Sequence, residues 1–282
     1  MPEGPEVEVI RRGLALHLPG GRITALTIGQ KRLRQQSSRE ELARWTIGHT
    51  IEKLSRRGKY LLLHLEQGAT LLIHLGMSGS LLLFDTPSPA LPHGHIILHL
   101  DDGHALVFQD ARRFGQFLIY PPGVKPLPLA AVGLEPFSRR LTPDRLLELT
   151  RGHQRPIKNF MLDGRIIAGI GNIYASEILF AARLHPQTPV GQLTREDWQT
   201  LIKAMRRILR AAIRLGGTTI ADFKNSQGES GRFHPQLKVY GRAGEHCPRC
   251  GTPIERLVQA GRSSFFCPGC QILHPEPRIK SY

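Results

Sequence analysis

Hydrophobic positions at the start of the chain recur at helical spacing. Val7, Ile10, Leu14 and Leu18 share one face, Pro5 suits a first helical turn, and Glu6 and Glu8 complement its positive end. This predicts a helix over 5–18. From 22 to 120 the pattern changes. The runs 59–65, 70–75, 79–84, 95–100 and 104–108 are short, apolar and bounded by turn residues, so the stretch reads as strands. Asp101-Asp102-Gly103, between two of those runs, predicts a hairpin. Many short strands in succession favour a β-sandwich or barrel. The proline-rich stretch 121–128 interrupts the pattern and marks the best domain boundary. Beyond it the spacing is helical again, over 142–150, 156–162, 172–183 and 194–214. A segment rich in glycine and serine, 216–231, predicts a mobile loop.

The length, 282 residues, accommodates two modest domains and an appendage. Charge narrows the class of partner. Lys and Arg total 38 against 23 Asp and Glu, a net +15, and a surface that basic calls for a polyanion. Nucleic acid is favoured over an anionic membrane, because there is no long lysine run and no basic amphipathic arm. No apolar stretch approaches the roughly 20 residues that span a bilayer. The opening residues lack the apolar core of a signal peptide, so a cytoplasmic location is expected. All four cysteines lie after residue 246, unlike a secreted disulfide scaffold.

Three constellations carry chemistry. Cys247-Pro-Arg-Cys250 and Cys267-Pro-Gly-Cys270 are two tight turns, each aiming two thiolates at one point. Together they supply the four-sulfur shell of a structural zinc. Two disulfides or four free thiols are the alternative, disfavoured in a reducing compartment. His246 adjoins Cys247 but is incidental to a filled shell, and Arg249 reads as a solvated residue. The second constellation, Gly169-Ile-Gly171-Asn172, stands before an amphipathic helix; Asn172 is a good cap, and Lys158 could add charge to an anion site there. A plain turn is the competing reading. The third is Met1-Pro2-Glu3-Gly4-Pro5-Glu6. With Met1 removed, Pro2 would present a secondary amine able to attack a sugar C1′ and collapse to an iminium. The helix start would lower the pKa of that amine and Glu3 and Glu6 would raise it. Two prolines and two acids that merely begin a helix are the simpler alternative.

Taken together these residues resemble the formamidopyrimidine-DNA glycosylase family, shared with endonuclease VIII. The resemblance rests on Pro2-Glu3-Gly4-Pro5-Glu6-Val7-Glu8, Arg57-Gly58-Lys59, His74-Leu-Gly-Met77-Ser-Gly-Ser and Asp110-Ala-Arg112-Arg-Phe114-Gly115. It continues through Ile157-Lys158-Asn159-Phe160, Gly171-Asn172-Ile-Tyr-Ala-Ser-Glu177, Gly217-Thr218-Thr219, Val239-Tyr240-Gly-Arg242 and the cysteine ribbon with Arg262.

The resemblance implies an α+β multidomain fold. A catalytic β-sandwich would occupy 2–120 and a linker 121–137. A helical helix-two-turn-helix domain would cover 138–231, including a lesion loop 216–231. A zinc ribbon would cover 237–271 and leave a tail, 272–282. Damaged double-stranded DNA would be the partner, gripped by a monomer in the cleft between the lobes, with one structural Zn2+ and no membrane. Carried over by position, Pro2 is the nucleophile, Glu3 the acid that protonates the sugar ring oxygen, and Glu6 the support of the amine. Lys59, Lys158, Asn172 and Arg262 grip phosphates. Met77, Arg112 and Phe114 fill the gap left by the extruded nucleotide; on hydropathy alone Met77 and Phe114 would be core residues. His74 reads as a satisfied core or supporting histidine. The implied activity is that of a bifunctional glycosylase and lyase for oxidised purines, cutting by β,δ-elimination. Gly4 matches the endonuclease VIII branch, which acts on oxidised pyrimidines, whereas Met77 and Arg112-Arg-Phe114 favour the purine branch. A non-catalytic, lesion-binding zinc protein is the third reading.

Overall fold

The computed structural model describes residues 2–85, 92–218, 233 and 236–273. The chain forms two compact units: one of residues 1–131 and 212–234, the other of 132–211 and 235–282. The fold is mixed α+β, as the resemblance implies, and its sheets are open, so the barrel that the strand pattern also allowed is not formed among the described residues.

The first unit opens with helix α1, Gly4–Leu14. Two sheets follow. Strands β1 (Ile23–Ile28), β7 (Gly94–Leu100), β8 (His104–Asp110) and β6 (Gly79–Asp85) form one, in that order. Strands β2 (Gln35–Gln36), β9 (Gln116–Tyr120), β5 (Thr70–His74), β4 (Tyr60–Leu65) and β3 (Ile51–Arg57) form the other. Alternation makes the core. Leu61, Leu63 and Leu65 of β4, Leu71 and Ile73 of β5, Ile96 and Leu98 of β7, and Phe108 of β8 join one buried cluster with Val7, Ile10 and Leu14 of α1. A two-residue period puts each strand's set on one face, and each fully buried Leu or Ile contributes roughly 1.5–3 kcal/mol. The predicted hairpin is present: β7 and β8 pair antiparallel around Gly103, at φ 86°.

Two expectations need correction. The first helix stops at Leu14, although Leu18 still packs in the core. The strand pattern over 22–120 is interrupted by helix α2, Arg39–Thr46. Ser38 caps it: Glu41 N donates to Ser38 Oγ at 3.1 Å, and Ser38 N to Glu41 Oε2 at 3.2 Å. That capping box was present in the sequence.

The second unit holds α4 (Pro143–Thr150), α5 (Ile157–Met161), α6 (Asn172–Ala182) and most of α7 (Arg195–Arg214), after the short α3 (Leu127–Ala130). Tight turns join α5 to α6. Helix α6 is buried on nearly every side, not on one face as amphipathicity would require. Its N-cap is Gly171, and Asn172 is its first helical residue. The β10–β11 hairpin (Glu255–Gln259, Arg262–Phe266) carries the cysteine turns, and Phe180 of α6 packs with Val239, Ile254 and Cys267 beneath it. No helix among the described residues is long and apolar enough to cross a membrane.

Candidate active site and zinc ribbon

In the first unit the start of α1 is built around one carboxylate. Pro2, Glu3 and Glu6 are all buried, the two acids at 2% exposure. Glu3 N donates to Glu6 Oε2 at 2.9 Å, and Thr218 N donates to Glu6 Oε1 at 2.8 Å. Gly217 is required at this contact. Its φ is +83°, and a Cβ there would lie 3.1 Å from Glu6 Cγ and Oε1. Glu6 thus ties the first residues of the chain to Gly217-Thr218, where the described part of the expected lesion loop ends; 219–231 lie outside the described residues, as does Met1.

A second cluster presents three side chains outward. Met77 and Phe114 are each 42% exposed, against the core placement their hydropathy suggests, and Arg112 lies beside them with its guanidinium 4.9 Å from the Phe114 ring centre. Asp110, fully buried, organises the turn. Its Oδ1 accepts from Ser78 Oγ at 2.6 Å and Arg112 N at 3.2 Å, and its Oδ2 accepts from Gly115 N at 2.8 Å. Gly76, at φ +63°, allows the two turns to touch, since a Cβ would sit 2.6 Å from the Phe114 carbonyl carbon.

Lys59 stands on the Gly58-Lys59 turn between β3 and β4, half-buried. Tyr60 pairs across the sheet with His74. Burial, aided by the charges of Lys59 and Arg34, pushes the His74 imidazole down to about 4, so it is neutral at physiological pH. Its Nδ1 accepts from Gly76 N at 3.0 Å, which leaves the proton on Nε2.

In the second unit Lys158 is only 1% exposed. Its Nζ donates to Ser263 O at 2.7 Å and Ser264 Oγ at 2.8 Å, and Asn172 Nδ2 donates to the same Ser263 carbonyl at 2.9 Å. Two of the ammonium's donors are thus held by β11. Arg262, on the same strand, is exposed. Ser264 Oγ in turn donates to Gln259 Oε1, and Gln259 Nε2 to Pro186 O.

The sulfurs of Cys247, Cys250, Cys267 and Cys270 all lie within 4.8 Å of one another. The 247–270 pair is 3.9 Å apart, and the 250–267 and 250–270 pairs are 3.4 Å apart. A tetrahedral shell with Zn–S near 2.3 Å has edges of about 3.8 Å, so the cluster fits one structural zinc. His246 is outside the shell, its Nδ1 2.9 Å from Gly251 O. Arg249 is not merely solvated: its guanidinium lies over the Phe180 ring at 4.6 Å.

Three stretches of the chain match known protein families. Residues 1–117 match the formamidopyrimidine-DNA glycosylase N-terminal domain, 132–224 its H2TH domain, and 244–272 the zinc finger found in these glycosylases and isoleucyl-tRNA synthetases. The formamidopyrimidine-DNA glycosylase of Stutzerimonas stutzeri is 44% identical over 271 residues, covering 96% of this chain and all of the relative. The chain belongs to the formamidopyrimidine-DNA glycosylase family. The glycosylase of Thioalkalivibrio sulfidiphilus is 42% identical, with 96% of this chain and all of the relative covered. Among solved structures, a Lactococcus lactis glycosylase variant bound to DNA containing the ring-opened lesion Fapy-dG superposes with a TM-score of 0.89 at 33% identity, over 96% of this chain and all of the other. The Thermus thermophilus glycosylase gives 0.85 at 38%, over 97% and 100%.

Within this glycosylase, sequence reasoning assigned no role to Asp110, Ser78 or Glu177, although each lies in a motif. Glu177 of α6 is buried and accepts from three successive backbone amides, Lys238, Val239 and Tyr240, at 2.9–3.1 Å. Burial raises its pKa against those hydrogen bonds. Glu8 does more than complement the helix end. It binds Arg11 and Arg12 at 2.8 Å and Arg56 at 3.3 Å, and Arg56 Nη1 donates to Gly58 O at 2.6 Å, beside Lys59. Burial pushes the Glu8 carboxyl up, but the arginines outweigh it and hold it at about 2. A depressed carboxylate stabilises the fold above its ordinary pKa, near 4.5, and that contribution is lost as pH falls toward 2. Glu8→Gln is therefore expected to cost roughly 2 kcal/mol at pH 7, the scale of a hydrogen bond to a charged group. The cost should have largely gone by pH 2, where the folded carboxyl is half protonated. Denaturant melts at both pH values check this, and an equal penalty at both would refute it.

Proposed function

We propose that this glycosylase excises oxidised purines, 8-oxoguanine and ring-opened formamidopyrimidines, from duplex DNA and then cuts the strand through a Schiff base on Pro2. The observation that carries the reading is the buried Pro2–Glu3–Glu6 assembly locked onto Gly217-Thr218, in the same unit as the outward-facing Met77, Arg112 and Phe114.

The chemistry follows from the groups. The Pro2 nitrogen lone pair forms a bond to C1′, and the bond from C1′ to the base breaks, its electron pair leaving with the base, which takes up the proton that the Pro2 nitrogen sheds. Glu3 delivers a proton to the sugar ring oxygen as the C1′–O4′ bond opens, giving a cationic iminium. That cation acidifies C2′, whose proton loss expels the 3′ phosphate; a second elimination expels the 5′ phosphate and leaves a one-nucleoside gap. Glu6 holds the first turn of α1, and hence the amine, in place. Lys59 and Arg262 grip phosphates and stabilise the departing charge. Lys158 and Asn172 act at one remove, fixing the strand that carries Arg262. Met77 and Phe114 replace lost stacking, and Arg112 pairs with the orphaned base. The chain works as a monomer in the cytoplasm.

Gly4 favours a second reading, the same chemistry on oxidised pyrimidines. A panel of duplexes with single lesions separates the two. Oxidised purines should be cut fastest, and thymine glycol cut faster than 8-oxoguanine would reverse the assignment.

A further inference from the structure

The side chain of Arg56, near the end of β3, is 15% exposed and serves two partners at once. Its Nε donates to Glu8 Oε2 of α1 at 3.3 Å, across 48 residues of sequence, and its Nη1 donates to Gly58 O at 2.6 Å. Glu8 is fixed independently of Arg56. Arg11 donates to it from Nε and Nη2 at 3.0 and 2.8 Å, and Arg12 from Nε at 2.8 Å. The planar guanidinium holds several N–H donors in fixed geometry, so one edge can rest on a carboxylate while another meets a carbonyl.

The carbonyl it meets sits in the tightest part of the hairpin. Strands β3 and β4 close at the Arg57–Tyr60 pair, so Gly58 and Lys59 are the whole loop. Gly58 stands at φ +58°, and Lys59 lies outside the left-handed region, which is the II′ pattern of a two-residue turn. The ladder of such a hairpin holds the two ends of the loop and leaves the peptide between its central residues to rotate. Turning that peptide over converts II′ to I′, carries the second residue to positive φ and re-aims its side chain. A cation that grips the Gly58 oxygen opposes the rotation, and a charged donor makes the stronger kind of hydrogen bond.

We propose that Arg56 is a positioning residue: braced on Glu8, it fixes the Gly58–Lys59 peptide and so sets the direction of the Lys59 side chain. The proposal rests on the reading that Lys59 grips a phosphate of the damaged strand. Helix α1, which begins next to Pro2, then fixes the backbone beneath that lysine as well, so the amine and the ammonium share one frame.

Two measurements test it on the full, zinc-loaded chain. The first needs no DNA. In protein labelled with 15N-lysine, the Lys59 amide should give one resonance free of millisecond exchange broadening. Arg56→Lys keeps the charge but has a single nitrogen for two partners. Broadening or doubling should then appear at Lys59 and not at Lys158 or Lys203 of the second unit. A Lys59 amide as sharp in Arg56→Lys and Arg56→Met as in wild type overturns the proposal. The second is affinity for a duplex holding a tetrahydrofuran abasic analogue, between about 50 and 200 mM salt. Lys59→Met should lower the slope of log affinity against log salt by about 0.9, the share of one phosphate contact. Arg56→Lys should lower it similarly at unchanged net charge, with affinity down about tenfold, the scale of one charged hydrogen bond. In the Lys59→Met background Arg56→Lys should cost nothing more. An equal loss in both backgrounds would mean that Arg56 acts on DNA or on the fold without Lys59, and the proposal fails. If Lys59→Met leaves the slope intact, the phosphate reading is what fails, and the amide spectra alone decide whether Arg56 fixes the turn.

Discussion

Pro2→Gly is expected to lower borohydride-trapped adduct and strand cleavage by about a thousandfold, while binding to an abasic-analogue duplex changes by less than about threefold. The physical reason is placement and charge. The nitrogen of Pro2 is part of a ring packed at the buried start of α1, so its direction is fixed. Glycine offers an amine too, but one with no ring to aim it, and misplacement near 1 Å costs on the order of a hundredfold. A primary amine also yields an imine that can shed its proton, whereas the proline adduct stays cationic until it reacts. Binding should survive because the residues proposed to face phosphates are elsewhere. Should the glycine variant trap and cut like wild type, the nucleophile is another amine, and Lys59 is the next to substitute.

Removing the metal is the second large effect. Structural zinc contributes an apparent 10–16 kcal/mol to folding of small zinc domains, far more than a ribbon of about thirty residues gains from its own core. Chelation, or Cys267→Ser, should unfold the ribbon. The damage would not stop there. Lys158 and Asn172 would lose Ser263 and Ser264 as acceptors, and an ammonium 1% exposed would be left without those partners. Affinity for damaged duplex is expected to fall by at least a hundredfold, with zinc content falling in step. A Cys267→Ser protein that binds DNA normally without metal would contradict this account.

How far the sequence reached depends on whether a signal was local. Strand alternation is local, so the sheets of the first unit were legible from the runs around Leu61, Leu71 and Ile96. Cysteine spacing is local as well, and the four sulfurs converge accordingly. Helix α2 was missed because Arg39–Thr46 lacks a long apolar stripe, although Ser38 and Glu41 spelled out its cap. The partners of Lys158 lie 105 and 106 residues away, so no local pattern marks that its ammonium meets β11. Exposure of Met77 and Phe114 runs against hydropathy altogether. Only their motifs hinted at it; the cause is tertiary, a glycine contact and a buried Asp110 that hold the two turns together. Arg56 is a further case, since nothing at neighbouring positions marks a guanidinium that meets a carboxylate 48 residues distant.

The Glu6 carboxylate serves two stretches of chain 212 residues apart. Thr218 cannot shift appreciably without either snapping a buried 2.8 Å bond or dragging the first turn of α1 with it. One carboxyl group thus welds the opening turn of the protein to a stretch near its far end, and Glu6→Ala should loosen both together.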